Sequence, residues 1–315
     1  MLLHPIRLWL PLWIFLGTAA LPLGASAKSF LDVPKTHPAY EAITSLTDQG
    51  ILKGYPDGRF HPNQPVNRAE AVRMMASEFS PEYIEAFSYS TVFSDVPNGA
   101  WYLPYVEIAR QNGAIDSPPK SSLFYGERQV TNAEFVKIFL ILKRRNIHLF
   151  EQEQKPLAPD VSAGKWFYPY LTLALSMNMI QTDAVGNLLP EKALSRADAA
   201  VLLHRYAQYA STQALPLLID AIDENLHKIS AHRTGEYTPQ APAASFRAIL
   251  LAHGLRSLHD SLEHQALQKI TWAAGKLLKG EPQEAQKLMK EAKMLSPATV
   301  STYGSSLTRS LQFQP

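Results

Sequence analysis

The side chains best placed for chemistry are two arginines, each set at the start of a helix by a recurring five-residue pattern. Val66-Asn67-Arg68-Ala69-Glu70 returns as Val130-Thr131-Asn132-Ala133-Glu134 and as Leu194-Ser195-Arg196-Ala197-Asp198. Asn67, Thr131 and Ser195 are N-cap residue types, and the acid three positions later completes a capping box or its Asp variant. Arg68 and Arg196 then fall on the first helical residue, beside unpaired backbone N–H groups and the positive end of the helix dipole. Together these favour an anionic partner. A cation gains nothing from that end of the dipole, so finding arginine there twice points to binding, with no catalytic step implied.

Other chemistries find little support. The chain has no cysteine, which excludes disulfides, thiolate metal sites and a lipidated N-terminal cysteine. Histidines 227, 232, 253, 259 and 264 lack a metal-ligand spacing with precedent. No Gly-x-Ser-x-Gly elbow, phosphate loop or dinucleotide fingerprint occurs. A wall hydrolase would need two convergent carboxylates, and no persuasive pair is seen. The expectation is a non-enzyme with no cofactor and no metal. Thirty Lys+Arg against 28 Asp+Glu give no nucleic-acid footprint.

The elements that must position the arginines are repeated too. Phe30-Leu31-Asp32-Val33-Pro34 is followed 63 residues on by Phe93-Ser94-Asp95-Val96-Pro97, and 65 further by Ala158-Pro159-Asp160-Val161. After each start comes a helix with one apolar stripe (Ala42, Ile43 and Leu46 in the first copy). Each ends at a residue suited to the left-handed conformation: Gly50, Gly113 or Asn178. A loop leads to the capping box and a second apolar helix. Neither helix could bury its stripe alone, so the units should pack on one another.

The opening Phe-x-Asp-Val, the helix ending in Gly-Ile, the loop Gly54-Tyr55-Pro56-Asp57-Gly58-Arg59-Phe60-His61-Pro62 and the closing Arg-Ala-Glu helix resemble the S-layer homology (SLH) domain. The likeness covers residues 30 to about 209; the second and third loops are eroded. It implies an all-α fold: three tandem repeats in a pseudo-threefold arrangement around a central three-helix bundle, followed by a C-terminal helical region. It further implies grooves between repeats that bind a cell-wall polysaccharide linked to peptidoglycan, often one bearing acidic pyruvyl ketals. At positions matching the family's contacts, Arg68 and Arg196 would supply forked donors to carboxylate. Trp101 and Trp166, each six residues after the opening aspartate, would supply stacking faces. Asp32, Asp95 and Asp160 would bond sugar hydroxyls or act as turn formers, and Gly54 and Gly58 would let backbone approach the ligand. Repeat 2 has Asn132 in place of the arginine, and repeat 1 has Pro38 in place of the tryptophan. One or two working grooves are therefore expected, and Arg68→Ala or Arg196→Ala should weaken binding without lowering the melting temperature.

The organisation expected is a signal peptide over 1–27, repeats over 28–90, 91–155 and 156–210, helices over 211–298, and a flexible tail over 299–315. The signal has Arg7, an apolar run from Leu8 to Leu23 broken by Pro11 and Pro22, and Ala25-Ser26-Ala27 before a mature start at Lys28. A retained anchor is the other reading. After cleavage no transmembrane span is expected, so the chain is read as exported to the cell envelope. In the C-terminal region Gly280-Glu281-Pro282 is a turn with proline opening a helix. The hairpin around it faintly resembles half a tetratricopeptide repeat. The leading expectation is an anchoring protein held to cell-wall polysaccharide, with the C-terminal helices free to engage an envelope protein. The alternative is an adaptor working through those helices, with the repeats as scaffold.

Overall fold

A computed structural model describes residues 29–76, 79–116, 120–145, 147, 157–211, 214–233, 241–305 and 307–308. The expected leader lies outside them. Among the described residues the fold is all-α, with only isolated bridges of extended backbone. None of their helices is long and apolar enough to cross a membrane.

Repeat 1 contains α1 (Tyr40–Asp48) and α2 (Arg68–Met75), followed by a short helix, α3 (Pro81–Glu85), that the sequence reading did not foresee. Repeat 2 contains α4 (Leu103–Gln111) and α5 (Asn132–Leu142), and repeat 3 contains α6 (Tyr168–Ser176) and α7 (Arg196–Tyr209). The second helices start where the sequence predicts. Asn67, Thr131 and Ser195 each accept from the N–H three residues on, and each acid answers the N-cap backbone N–H. The first helices end on left-handed residues: Gly50 at φ 74°, Gly113 at 70° and Asn178 at 53°.

The residues before the caps close a ring. Val66 N–H donates to Leu194 O, Leu194 N–H to Val130 O and Val130 N–H to Val66 O, each at 2.9 Å. Their side chains are buried, so the ring sits in the apolar core. The same cyclic order governs helix packing: α4 lies on α2, α6 on α5 and α1 on α7. Each repeat thus covers the stripe its neighbour could not bury alone.

The chain continues as α8 (Ala214–Arg233), α9 (Ala241–Leu258), α10 (Leu262–Leu278), α11 (Pro282–Leu295) and α12 (Pro297–Tyr303). Pro282 opens α11 as expected. Of the stretch expected as a flexible tail, the described residues 299–305 and 307–308 are largely helical. Ser296 caps α12 by accepting from Thr299 N–H, Pro297 takes the N1 position, and Thr299 and Leu307 are buried. A serine followed by proline ends one helix and starts the next, which is why the stretch reads as a breaker in sequence. The helices α8 to α12 pack successively, and α9 docks on α6 of repeat 3. Gly254 makes this docking possible, since a Cβ there would lie 2.0 Å from Ser176 O.

Candidate functional site

The three opening aspartates all do the same local job. Asp32 accepts from Phe60 N–H at 2.9 Å and His61 N–H at 2.8 Å; Asp95 from Phe124 and Tyr125 at 2.8 and 2.7 Å; Asp160 from Leu188 and Leu189 at 3.0 and 2.7 Å. The second acceptor site in each case holds a residue in the left-handed region: His61 at φ 56°, Tyr125 at 59° and Leu189 at 51°. Such backbone costs about 1–2 kcal/mol per residue in an L-amino acid, and charge-assisted bonds to the carboxylate offset it. The aspartates therefore fix the end of each loop, the point from which the chain enters the next capping box.

Each loop end is then gripped by the residue at the helix start of another repeat. Arg196 of repeat 3 donates Nε to Phe60 O and Nη2 to Lys53 O, both at 2.8 Å, with its guanidinium 4.8 Å from the Tyr55 ring. Arg68 of repeat 1 donates Nε to Phe124 O at 3.0 Å, and Asn132 of repeat 2 donates Nδ2 to Leu189 O at 2.8 Å. Arg196 is only 5% exposed, and burial lowers the pKa of both guanidinium groups from the ordinary arginine value. These arginines are neither solvated nor wholly free for a ligand: part of each fork ties repeats together.

Two grooves open beside them. The first, of ≈ 460 Å³, is lined by Arg196 of repeat 3, by Lys53, Gly54, Tyr55 and Arg73 of repeat 1 and by Trp101 of repeat 2. The second, of ≈ 350 Å³, is lined by Arg68 of repeat 1, Asp116, Glu134 and Lys137 of repeat 2, and Trp166 of repeat 3. No single repeat contains a whole groove. Trp101 and Trp166 are 53% and 51% exposed, the state of a surface platform. Arg73 stands 5.7 Å from the Trp101 ring and Lys137 5.6 Å from the Trp166 ring.

The structure thus brings Arg196, Gly54 and Trp101 together, and Arg68 with Trp166. Asp32, Asp95, Asp160 and Gly58 line neither groove. Gly54 has a second reason to lack a side chain, since a Cβ would meet the Phe30 ring at 2.2 Å. Arg73 and Lys137 are groove residues that sequence reasoning missed. The available signal was register: each lies five residues after the helix-start position of its repeat.

The grooves differ in charge. Lys53, Arg73 and Arg196 face one carboxylate, Glu70, in the first, and Arg68 and Lys137 face Asp116 and Glu134 in the second. Burial pushes the Glu134 carboxyl up, but Arg128, the Thr131 N–H and Arg68 outweigh it and hold the pKa below the ordinary value. That acid is paired with Arg128 at 2.6 Å and lies 3.9 Å from Arg68.

The third junction has none of this equipment. Asn132 replaces arginine, Val201 stands where Arg73 and Lys137 stand, and Pro38 replaces tryptophan. The corresponding loop, Asn178 to Thr182, faces α8 and α9 across a cavity of only ≈ 70 Å³. Most apolar residues of the C-terminal helices are buried in their own packing and in this docking, while Leu258, Leu262, Trp272 and Met294 stay exposed. Nothing in this arrangement supports the expected envelope protein partner. Among the described residues no group of His, Asp and Glu could hold a metal ion.

The S-layer homology domain matches residues 29–72, 92–136 and 159–200. An S-layer protein of Bacillus licheniformis is 28% identical over 57% of this chain, and a surface-layer 125 kDa protein of Lysinibacillus sphaericus is 29% identical over 60%. An amylopullulanase of Thermoanaerobacterium thermosulfurigenes is 25% identical over 56%. The matched regions span 20%, 16% and 9% of those relatives. The chain is a protein with three tandem S-layer homology domains, closed on one another through the arginines and asparagine that begin their second helices.

Proposed function

We propose that the chain is a non-enzymatic anchor that holds itself to peptidoglycan-linked polysaccharide of the cell wall through the two grooves. Its S-layer homology domains put it at the cell envelope. We read the cyclic bonding as a pseudo-threefold arrangement with two equipped junctions and one unequipped. The observation that carries the proposal is the convergence, twice, of one repeat's half-exposed tryptophan with a second repeat's basic residue and a third repeat's arginine. A sugar ring lies on the indole face while the cations meet acidic substituents or donate to hydroxyl oxygens. The excess of cations in the first groove suits a polymer bearing carboxylates such as pyruvyl ketals; the balanced second groove suits neutral, hydroxyl-rich stretches. A relative named as an amylopullulanase shares such repeats, so the repeats supply attachment whatever else a chain carries. Sedimentation with purified sacculi tests the proposal. The protein should pellet with sacculi that retain their wall polymers and stay in the supernatant once the polymers are removed. Protein left in the supernatant in both cases overturns it.

A further inference from the structure

The cavity at the third junction contains a charge that the anchoring account does not use. Arg247 on α9 is 5% exposed. Its Nε donates to Asn225 Oδ1 at 3.3 Å, while its Nη1 is buried with no hydrogen-bond partner among the described residues. It lines the ≈ 70 Å³ cavity with Asn225, Lys228 and Glu224 of α8 and with Gln181 and Thr182 of repeat 3. One water needs about 10–15 Å³ on the same measure, so the space admits several waters or one anion of a few heavy atoms.

The charges around the cavity are unbalanced. Among the described residues Glu224 is the one carboxylate lining it, and Lys228 already holds that group at 2.6 Å. Arg205 of α7 adds a further cation at the edge, donating to Gln181 Oε1 at 2.7 Å. Gln181 and Thr182 offer neutral donors on the opposite wall. Arg247 thus shares its nearby carboxylate, Glu224, with a lysine that holds it directly; a buried guanidinium so under-compensated is costly, and a bound oxyanion offsets that cost through charge-assisted bonds.

We propose that the cavity between α8, α9 and the loop of repeat 3 is a binding site for one small oxyanion, held against the Arg247 guanidinium. The C-terminal helices thereby give the unequipped third junction a cation of their own, and the anion cements them to repeat 3. The site is separate from the two grooves and does not depend on glycan binding there.

The test is thermal unfolding of the full chain in sodium acetate, pyruvate or phosphate against chloride, at constant ionic strength. The wild type should gain several degrees and saturate, since a ligand bound only by the native state raises its stability by mass action. Arg247→Gln should abolish the response. Asn225→Asp, which sets a carboxylate beside Arg247, should raise the melting temperature in chloride and also abolish the response. It covers the case in which Arg247→Gln fails to fold. The groove variant Arg73→Ala/Lys137→Ala should respond as the wild type does. A response to acetate and pyruvate alone identifies a carboxylate ligand; one to phosphate as well identifies the broader class. Equal melting temperatures in chloride and all three oxyanions, or an undiminished response in Asn225→Asp, overturn the proposal.

Discussion

Arg196 of repeat 3 donates Nε to Phe60 O of repeat 1 at 2.8 Å and lays its guanidinium 4.5 Å from the Phe60 ring. One side chain thus joins residues 136 positions apart, closing the ring of repeats at the junction where chain connectivity cannot. Arg196→Ala strands two carbonyls and removes a packed cation. It should cost ~2–4 kcal/mol of stability, whereas Arg68→Ala, with one carbonyl bond and greater exposure, should cost about half as much. Thermal and urea unfolding of both variants checks the order. Equal, negligible losses would return these arginines to a purely ligand-binding role.

Acid sensitivity follows from the aspartates. Burial pushes the Asp32 carboxyl up, but the N–H groups of Phe60 and His61 and the nearby His61 charge outweigh it and hold its pKa below the ordinary value. A depressed native pKa means the unfolded chain takes up the proton first. The stabilisation is complete above the unfolded value of ~3.9 and is lost as pH falls through the native pKa. Asp32→Asn should therefore be less stable than wild type at pH 7, with the gap closing as the pH falls below the ordinary aspartate range and the wild-type carboxylate is protonated. Acid titration followed by circular dichroism measures this; a gap independent of pH would contradict it.

The helix starts and apolar stripes were legible because their determinants lie within a few residues of one another. Asn67 and Glu70 announce a cap wherever they fold. The tie between Asp32 and Phe60, or between Arg196 and Phe60, depends on a closed ring that no local pattern encodes. The expectation that Arg196→Ala would spare the melting temperature came from assigning its guanidinium to a ligand alone. Arg73 and Lys137 read individually as ordinary solvated cations; only their shared register, with Val201 in the third copy, marks them. Gly254 reads as a weak point within a helix, and its reason appears only when α9 meets α6.

The docking of α9 rests on that glycine. Gly254→Ala forces a methyl group against the Ser176 carbonyl, a backbone atom that cannot swing away. The substitution should cost ~1–3 kcal/mol or more and loosen the C-terminal helices from repeat 3. Hydrogen exchange should show faster exchange in α8 and α9 with protection kept in α2, α5 and α7. Unchanged exchange in α9 would mean the helices tolerate the shift.

Charge divides the grooves. With an acidic wall oligosaccharide, Arg73→Ala should weaken binding by about tenfold or more, the loss expected for one charge-assisted bond. Lys137→Ala should have the smaller effect, because Asp116 and Glu134 already balance that groove. Binding should weaken with salt in the Lys137→Ala protein more steeply than in the Arg73→Ala protein. Isothermal titration at two ionic strengths checks both orders.

The central claim is that two inter-repeat grooves hold cell-wall polysaccharide, and the double variant Arg73→Ala/Lys137→Ala tests it most directly. Both side chains sit on the groove faces of the tryptophans, and neither is among those that tie loop ends between repeats. Co-sedimentation with polymer-bearing sacculi should retain the wild type and release the double variant, at an unchanged melting temperature. A double variant that pellets as fully as the wild type would contradict the account.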